Sequence, residues 1–113
     1  MDHTINFLAS TIVSEVYIGI PDILRCEGEH TEWRGGSALP FSGIFLEGPT
    51  TDEQGNLFVT NIPYGRVLKI DSKKNVSQSV RWDGEPNGLT IRNDGLLVVA
   101  DYKQVQIKYI MPC

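Results

Sequence analysis

Two oxygen-bearing side chains stand out by their spacing. Glu47 lies in Phe45-Leu46-Glu47-Gly48-Pro49, and Asn87 lies in Glu85-Pro86-Asn87-Gly88-Leu89, 40 residues later. A carboxylate and an amide carbonyl are hard donors of the kind that calcium prefers. The pair does chemistry only if the fold brings the two positions to one spot. Asp101 is a third candidate, at the end of the apolar run Leu96-Leu97-Val98-Val99-Ala100. It either faces the mouth of a central channel, near a bound substrate, or sits in an ordinary surface turn before Tyr102-Lys103. Plainer readings exist for the other two as well. Glu47 fits a solvated loop carboxylate. Pro86-Asn87-Gly88 fits a plain turn, because Asn and Gly tolerate left-handed backbone.

The elements that must position these residues are short strands. Asn56-Leu57-Phe58-Val59-Thr60 follows the turn signal Glu53-Gln54-Gly55. Arg66-Val67-Leu68-Lys69-Ile70 and Val76-Ser77-Gln78-Ser79-Val80-Arg81-Trp82 alternate polar with apolar residues, as half-buried strands do. Asp71-Ser72-Lys73-Lys74-Asn75 is the turn between them. The pattern then restarts: Asn93-Asp94-Gly95 is a turn, Leu96 to Ala100 a strand, and Val105 to Ile110 alternates again. Placing Gly55 over Gly95 puts Leu57 on Leu97, Val59 on Val99, Gly48 on Gly88, Asn61 on Asp101 and Glu47 on Asn87. A period near 40 residues built from short strands is the signature of β-propeller blades, each a four-stranded sheet. Innermost strands of successive blades converge on one axis, so equivalent positions such as 47 and 87 point at one spot. The expected fold is therefore all-β, with about two four-stranded blades of an incomplete propeller. Residues 1–43 form an N-terminal segment, with a strand at Ser14-Glu15-Val16-Tyr17-Ile18, a helical turn at Asp22-Ile23-Leu24-Arg25 and a loop from Glu27 to Pro40. Residues 44–113 hold the first blade and part of the second. A small sandwich or open sheet is the competing architecture.

Several of these segments resemble one family. Phe45-Leu46-Glu47-Gly48-Pro49, Asp52-Glu53-Gln54-Gly55-Asn56-Leu57-Phe58-Val59, Asn61-Ile62-Pro63-Tyr64-Gly65-Arg66-Val67, Asp83-Gly84-Glu85-Pro86-Asn87-Gly88-Leu89 and Ala100-Asp101-Tyr102-Lys103 look like the opening of the senescence-marker-protein/gluconolactonase/luciferin-regenerating-enzyme propellers. These are six-bladed and lactonase-type. Strictosidine-synthase-like propellers share the grammar and are the nearest rival. The resemblance spans roughly residues 45–103 and implies a calcium-dependent hydrolase acting on a lactone or related ester. Glu47 then stands at a metal-ligand position, and Asn87 at one that reaches substrate or a metal-bound water. The ion would polarise the carbonyl and acidify a water. The general-base carboxylate and the other ligands belong to later blades that have no counterpart here. Asn61 departs from the Asp common in related sequences, and Gln104-Val105-Gln106 replaces a turn that usually holds Gly. The chain reads as an N-terminal fragment, expected to bind calcium poorly and turn over nothing alone.

Composition narrows the remaining classes. The 113 residues carry a formal charge of −4, with 41% hydrophobic and 21% charged residues. No basic cluster marks a nucleic-acid surface. No run approaches the roughly 20 apolar residues of a membrane span. The N-terminus lacks the basic start of a signal peptide, so cytoplasm is the expected compartment. Cys26 and Cys113 make no disulfide framework and are expected to be bystander thiols. His3 and His30 lack metal spacing, Ser42 sits in no nucleophile elbow, and no phosphate loop is present. Trp33 and Trp82 are expected as core packing residues. Asn75-Val76-Ser77 matches a glycan acceptor by pattern only. A chain holding only two blades would expose a blade face and strand edges. The alternative to the enzyme is thus a non-catalytic fragment that pairs its edges with a partner or with itself.

Overall fold

The computed structural model describes residues 10–33 and 43–112. The chain is all-β, with seven antiparallel strands in two sheets and, among the described residues, only two short 3-10 turns, Asp22–Leu24 and Ile62–Tyr64. The first sheet is a four-stranded meander of β1 (Leu46–Thr51), β2 (Leu57–Asn61), β3 (Arg66–Ile70) and β4 (Val76–Arg81). The second is a three-stranded meander of β5 (Pro86–Ile91), β6 (Leu97–Asp101) and β7 (Gln106–Ile110). No closed ring or barrel forms among the described residues.

The 40-residue offset holds at the level of individual backbone pairs. Leu57 pairs with Ile70 and Leu97 with Ile110; Leu46 pairs with Asn61 and Pro86 with Asp101. Ile62 N donates to Phe45 O at 3.2 Å, and Tyr102 N donates to Glu85 O at 2.9 Å. Asp52 N bonds Asn56 O, and Arg92 N bonds Leu96 O. Both sheets slip register inside their first strand, between Glu47 and Thr50 and between Pro86 and Leu89.

Those two slips explain the two strands that the sequence hides. Gly48-Pro49 and Pro86-Asn87-Gly88 read as breakers, yet each lies in a strand. A bulge leaves residues out of the ladder, so a proline there forfeits no hydrogen bond. In β5 the proline is the first residue. Pro86-Asn87-Gly88 is therefore a strand opening and not a free turn. The expected strand over residues 14–18 is absent: this segment is unpaired, with Val16 85% exposed. Alternation alone does not make a strand when no neighbour supplies a ladder. Its Ile18, and Ile20 beyond it, instead pack on the outer face of the first sheet, against Val59, Leu68 and Ile70. The helical turn near Asp22 is present. The described part of the 27–40 loop, residues 27–33, has no helix or strand; the rest lies outside the described residues, as do His3, Ser42 and Cys113.

The main core lies between the sheets. Phe58 and Val67 of the first meet Leu97 and Val99 of the second, flanked by Val80, Trp82, Leu89, Ile91 and Ile110. Each such side chain, fully buried, contributes about 1.5–3 kcal/mol. The strand period of two thus gives β2 two apolar faces, one toward the second sheet and one toward Ile18 and Ile20.

One position breaks the symmetry at a cost. Gly65 and Val105 are equivalents, and both adopt left-handed backbone, with φ of 63° and 52°. Glycine does so freely, whereas a β-branched residue is strained there by about 1–2 kcal/mol. Val105 is 89% exposed and has no packing to offset this. Val105→Gly is expected to stabilise the chain by about 1 kcal/mol, net of the extra freedom glycine gives the unfolded state. A urea midpoint that does not rise would show the strain to be relieved elsewhere.

Candidate functional site

Glu47 and Asn87 come together through the first strands of the two sheets. β1 and β5 lie beside each other. Thr60, the cross-strand partner of Glu47, donates its hydroxyl to Asn87 O at 2.9 Å. Gly48 fits against the same carbonyl: a Cβ there would come within 2.6 Å of Asn87 O and 3.0 Å of Leu89 N. Its φ of 54° also favours glycine. The glycine after Glu47 is thus what lets the strands approach. Both candidate side chains are exposed. Glu47 accepts one local bond, from Gly48 N to Oε2 at 3.2 Å.

Asp101 plays a different part. It is 2% exposed, neither open to a channel nor on a surface turn. Its Oδ2 accepts Trp82 Nε1–H at 2.7 Å, and its Oδ1 accepts the backbone N–H of Glu85 at 3.0 Å and of Gln104 at 3.3 Å. Burial pushes its pKa up, but the bonds from Trp82, Glu85 and Gln104 outweigh it and hold the carboxyl below its ordinary value. Its lone pairs are committed to joining the end of the first sheet to the start of the second. Asn61, its equivalent, is fully buried and ties the lead-in to β1 onto the first sheet with an amide. Asn61 Oδ1 accepts Phe45 N–H at 2.7 Å while Nδ2 donates to Gly43 O at 3.2 Å. An aspartate could accept the first bond but not donate the second, which accounts for asparagine here.

Sequence reasoning passed over a second cluster. Arg66 and Arg81 are cross-strand partners, a like-charge pairing that needs relief. Arg66 is 3% exposed and bonds Leu24 O through its guanidinium, while Arg81 pairs with Glu29 at 2.7 Å. The pair of arginines therefore pins residues 24–29 to the first sheet. Beside it, Cys26 is buried, and burial pushes its thiol pKa up, with Glu29 adding to the effect. That marks an inert thiol rather than a nucleophile. Trp33 is buried with its ring 4.7 Å from that of Phe45, and Trp82 is spent on Asp101, so neither offers a free platform.

A hollow of about 380 Å³ lies nearby, lined in part by His30, Glu32, Tyr64, Asp83 and Lys103. It is not the place where Glu47 and Asn87 meet. Two of its carboxylates are taken up by Lys103, at 3.5 Å from Glu32 and 2.6 Å from Asp83. Among the described residues, no group of three or more His, Cys, Asp or Glu side chains could hold a metal ion. No helix there is long and apolar enough to cross a membrane.

Calcium takes about six to eight oxygen ligands. Glu47 and Asn87 match such an ion in kind and fall short of it in number. The Asn87 backbone carbonyl already accepts the Thr60 hydroxyl. Neither a scan against protein-family models nor a search of curated proteins returned a match.

Proposed function

We propose that this chain carries the opening blades of a lactonase-type propeller, with Glu47 as a metal ligand and Asn87 as a group that reaches substrate or a bound water. The observation that carries the reading is the meeting of β1 and β5. It sets two exposed oxygen-bearing side chains, at equivalent places in a repeat, on neighbouring strands. When bound in a complete site, the ion would activate a lactone or ester toward hydrolysis. The chain's own contribution is to fix two donors by a bulged strand and a close backbone contact. The described residues hold too few donors to preorganise the site, so affinity for the ion is low and hydrolysis needs groups from elsewhere.

Hydrogen exchange with and without millimolar calcium tests this. Amides of β1 and β5 are expected to gain protection with calcium, and Glu47→Gln is expected to abolish the gain. Unchanged exchange in the unmodified chain sinks the metal reading. A second reading is a non-catalytic chain that acts by pairing strand edges. It is favoured by β7, which among the described residues pairs only with β6 and leaves its other edge open.

A further inference from the structure

The internal repeat shows what kind of surface covers each sheet face, and among the described residues one face lacks its cover. In the first sheet the face made by Phe58, Thr60 and Val67 is 0–2% exposed, because the second sheet lies on it. The equivalents 40 residues on are Val98, Ala100 and Ile107, joined by Tyr109. Cross-strand pairing sets Val98 beside Tyr109 and Ala100 beside Ile107, on one face. That face points away from the first sheet, since the alternate residues Leu97, Val99 and Ile110 point toward it. Ile107 is 66% and Tyr109 65% exposed. Thr90, the partner of Val98 on β5, completes the face, at whose edge the Arg92 guanidinium lies over the Tyr109 ring, 5.1 Å from its centroid.

The matching cover is present in the same chain. Leu97, Val99 and Ile110 are what cover the first sheet, and their equivalents are Leu57, Val59 and Ile70. These lie on the first sheet's outer face, under Ile18 and Ile20 of the N-terminal segment. That segment forms no strand, and Val16 and Tyr17 within it are exposed. It is a loose lid over a surface already shaped to receive a sheet.

We propose that this chain self-associates head to tail, the open face of the second sheet docking on the first sheet of another copy once Ile18 and Ile20 are displaced. Each contact repeats the geometry that joins the two sheets within one chain. A heterologous contact of this kind closes into a ring when its rotation allows. Rings of such sheets hold about four to eight, so closure takes about two to four copies. Stacking rests on the repeat alone. If the reading of Glu47 and Asn87 also holds, the ring gathers those donors from every copy, which is what one chain lacks.

The test is sedimentation velocity of the full chain in a chelator, so that the result is independent of any metal. Mass is expected to rise between about 5 and 200 µM, a range that spans ordinary weak self-association. Ile107→Glu is expected to weaken association by at least about tenfold, and Ile20→Ser to strengthen it. Ile107 is exposed, so its replacement leaves the monomer folded, as circular dichroism will show. Hydrogen exchange on the unmodified chain gives a second readout: concentrating it should protect the amides of β6. A monomer throughout overturns the proposal. So does association that survives Ile107→Glu, which means edge pairing, or a dimer indifferent to Ile20→Ser, which means two open faces meeting head to head.

Discussion

Asp101→Ala is expected to uncouple the two sheets. The carboxylate ends β6 and is the acceptor for Trp82 Nε1, Glu85 N and Gln104 N. Trp82 follows the last strand of the first sheet, and Glu85 precedes the first strand of the second. Removing the acceptor strands donors at the junction, and each buried orphan costs about 1–3 kcal/mol. A total of about 3–5 kcal/mol is expected, a large share of the 5–15 kcal/mol that holds ordinary domains. Urea unfolding followed by tryptophan fluorescence reads it directly, because Trp82 is one of the partners. Asp101→Asn should fall between, since its amide places a donor against the indole N–H. The same carboxylate sets an acid limb. Its folded pKa is depressed, so its contribution is full above the unfolded value of about 4 and is lost as pH falls below that. Asp71 and Asp94 are also held low, chiefly by hydrogen bonds from Asn75 and Arg92, and act in the same window. The comparison of the unmodified chain with Asp101→Ala isolates the buried group: the variant's stability should change less below pH 4. An alanine variant within about 0.5 kcal/mol of the original would falsify the junction role.

Much of the fold could be read from the chain because strand period and turn chemistry are local properties. β3 alternates and is bounded by Gly65 and Asp71, and it appears where the pattern places it. The turns at 52–55 and 92–95 carry the same backbone bonds, Gly55 N to Asp52 O and Gly95 N to Arg92 O. The repeat was visible because those signals recur at a fixed interval. β1 and β5 were not visible as strands, since their bulges put Gly and Pro where a propensity argument sees a break. The segment at 14–18 erred the other way: its pattern suits a strand, but pairing depends on a neighbour that no local signal reveals.

The candidate site divides along the same line. That Glu47 and Asn87 are equivalent followed from counting residues, and the contact of Gly48 with Asn87 O gives the count a spatial meaning. The structural use of Asp101 was hidden, because its indole partner is 19 residues away. The one sequence hint was its pairing with Asn61 in the repeat. Two residues of like shape at the ends of equivalent strands, each accepting the backbone N–H just ahead of the preceding strand, are a fold device first. The paired arginines were hidden too, because Arg66 and Arg81 become neighbours only through the β3–β4 register.

Gly65→Ala is expected to be strongly destabilising. Its φ of 63° costs an alanine about 1 kcal/mol by itself. Space adds more. The new Cβ would lie 2.1 Å from Trp82 O and 2.9 Å from Gly84 O. Both are backbone atoms and cannot rotate away. Trp82 N also donates to Gly65 O at 2.8 Å, so the two segments are tied where the methyl must enter. The displaced stretch is the one that aims Trp82 at Asp101, and damage at Gly65 spreads to the junction between sheets. A loss of about 3 kcal/mol or more is expected. Gly95→Ala is the control, with φ of 89° and nothing within 4 Å of the added carbon. It should show the backbone penalty alone, near 1 kcal/mol. Val105 completes the comparison from the other side, holding the place of Gly65 in the second sheet with an exposed side chain. One repeat position thus loses stability when glycine is removed and gains it when glycine is supplied. If Gly65→Ala costs no more than Gly95→Ala in urea, the loop at 82–84 yields freely and the two sheets are not locked through it.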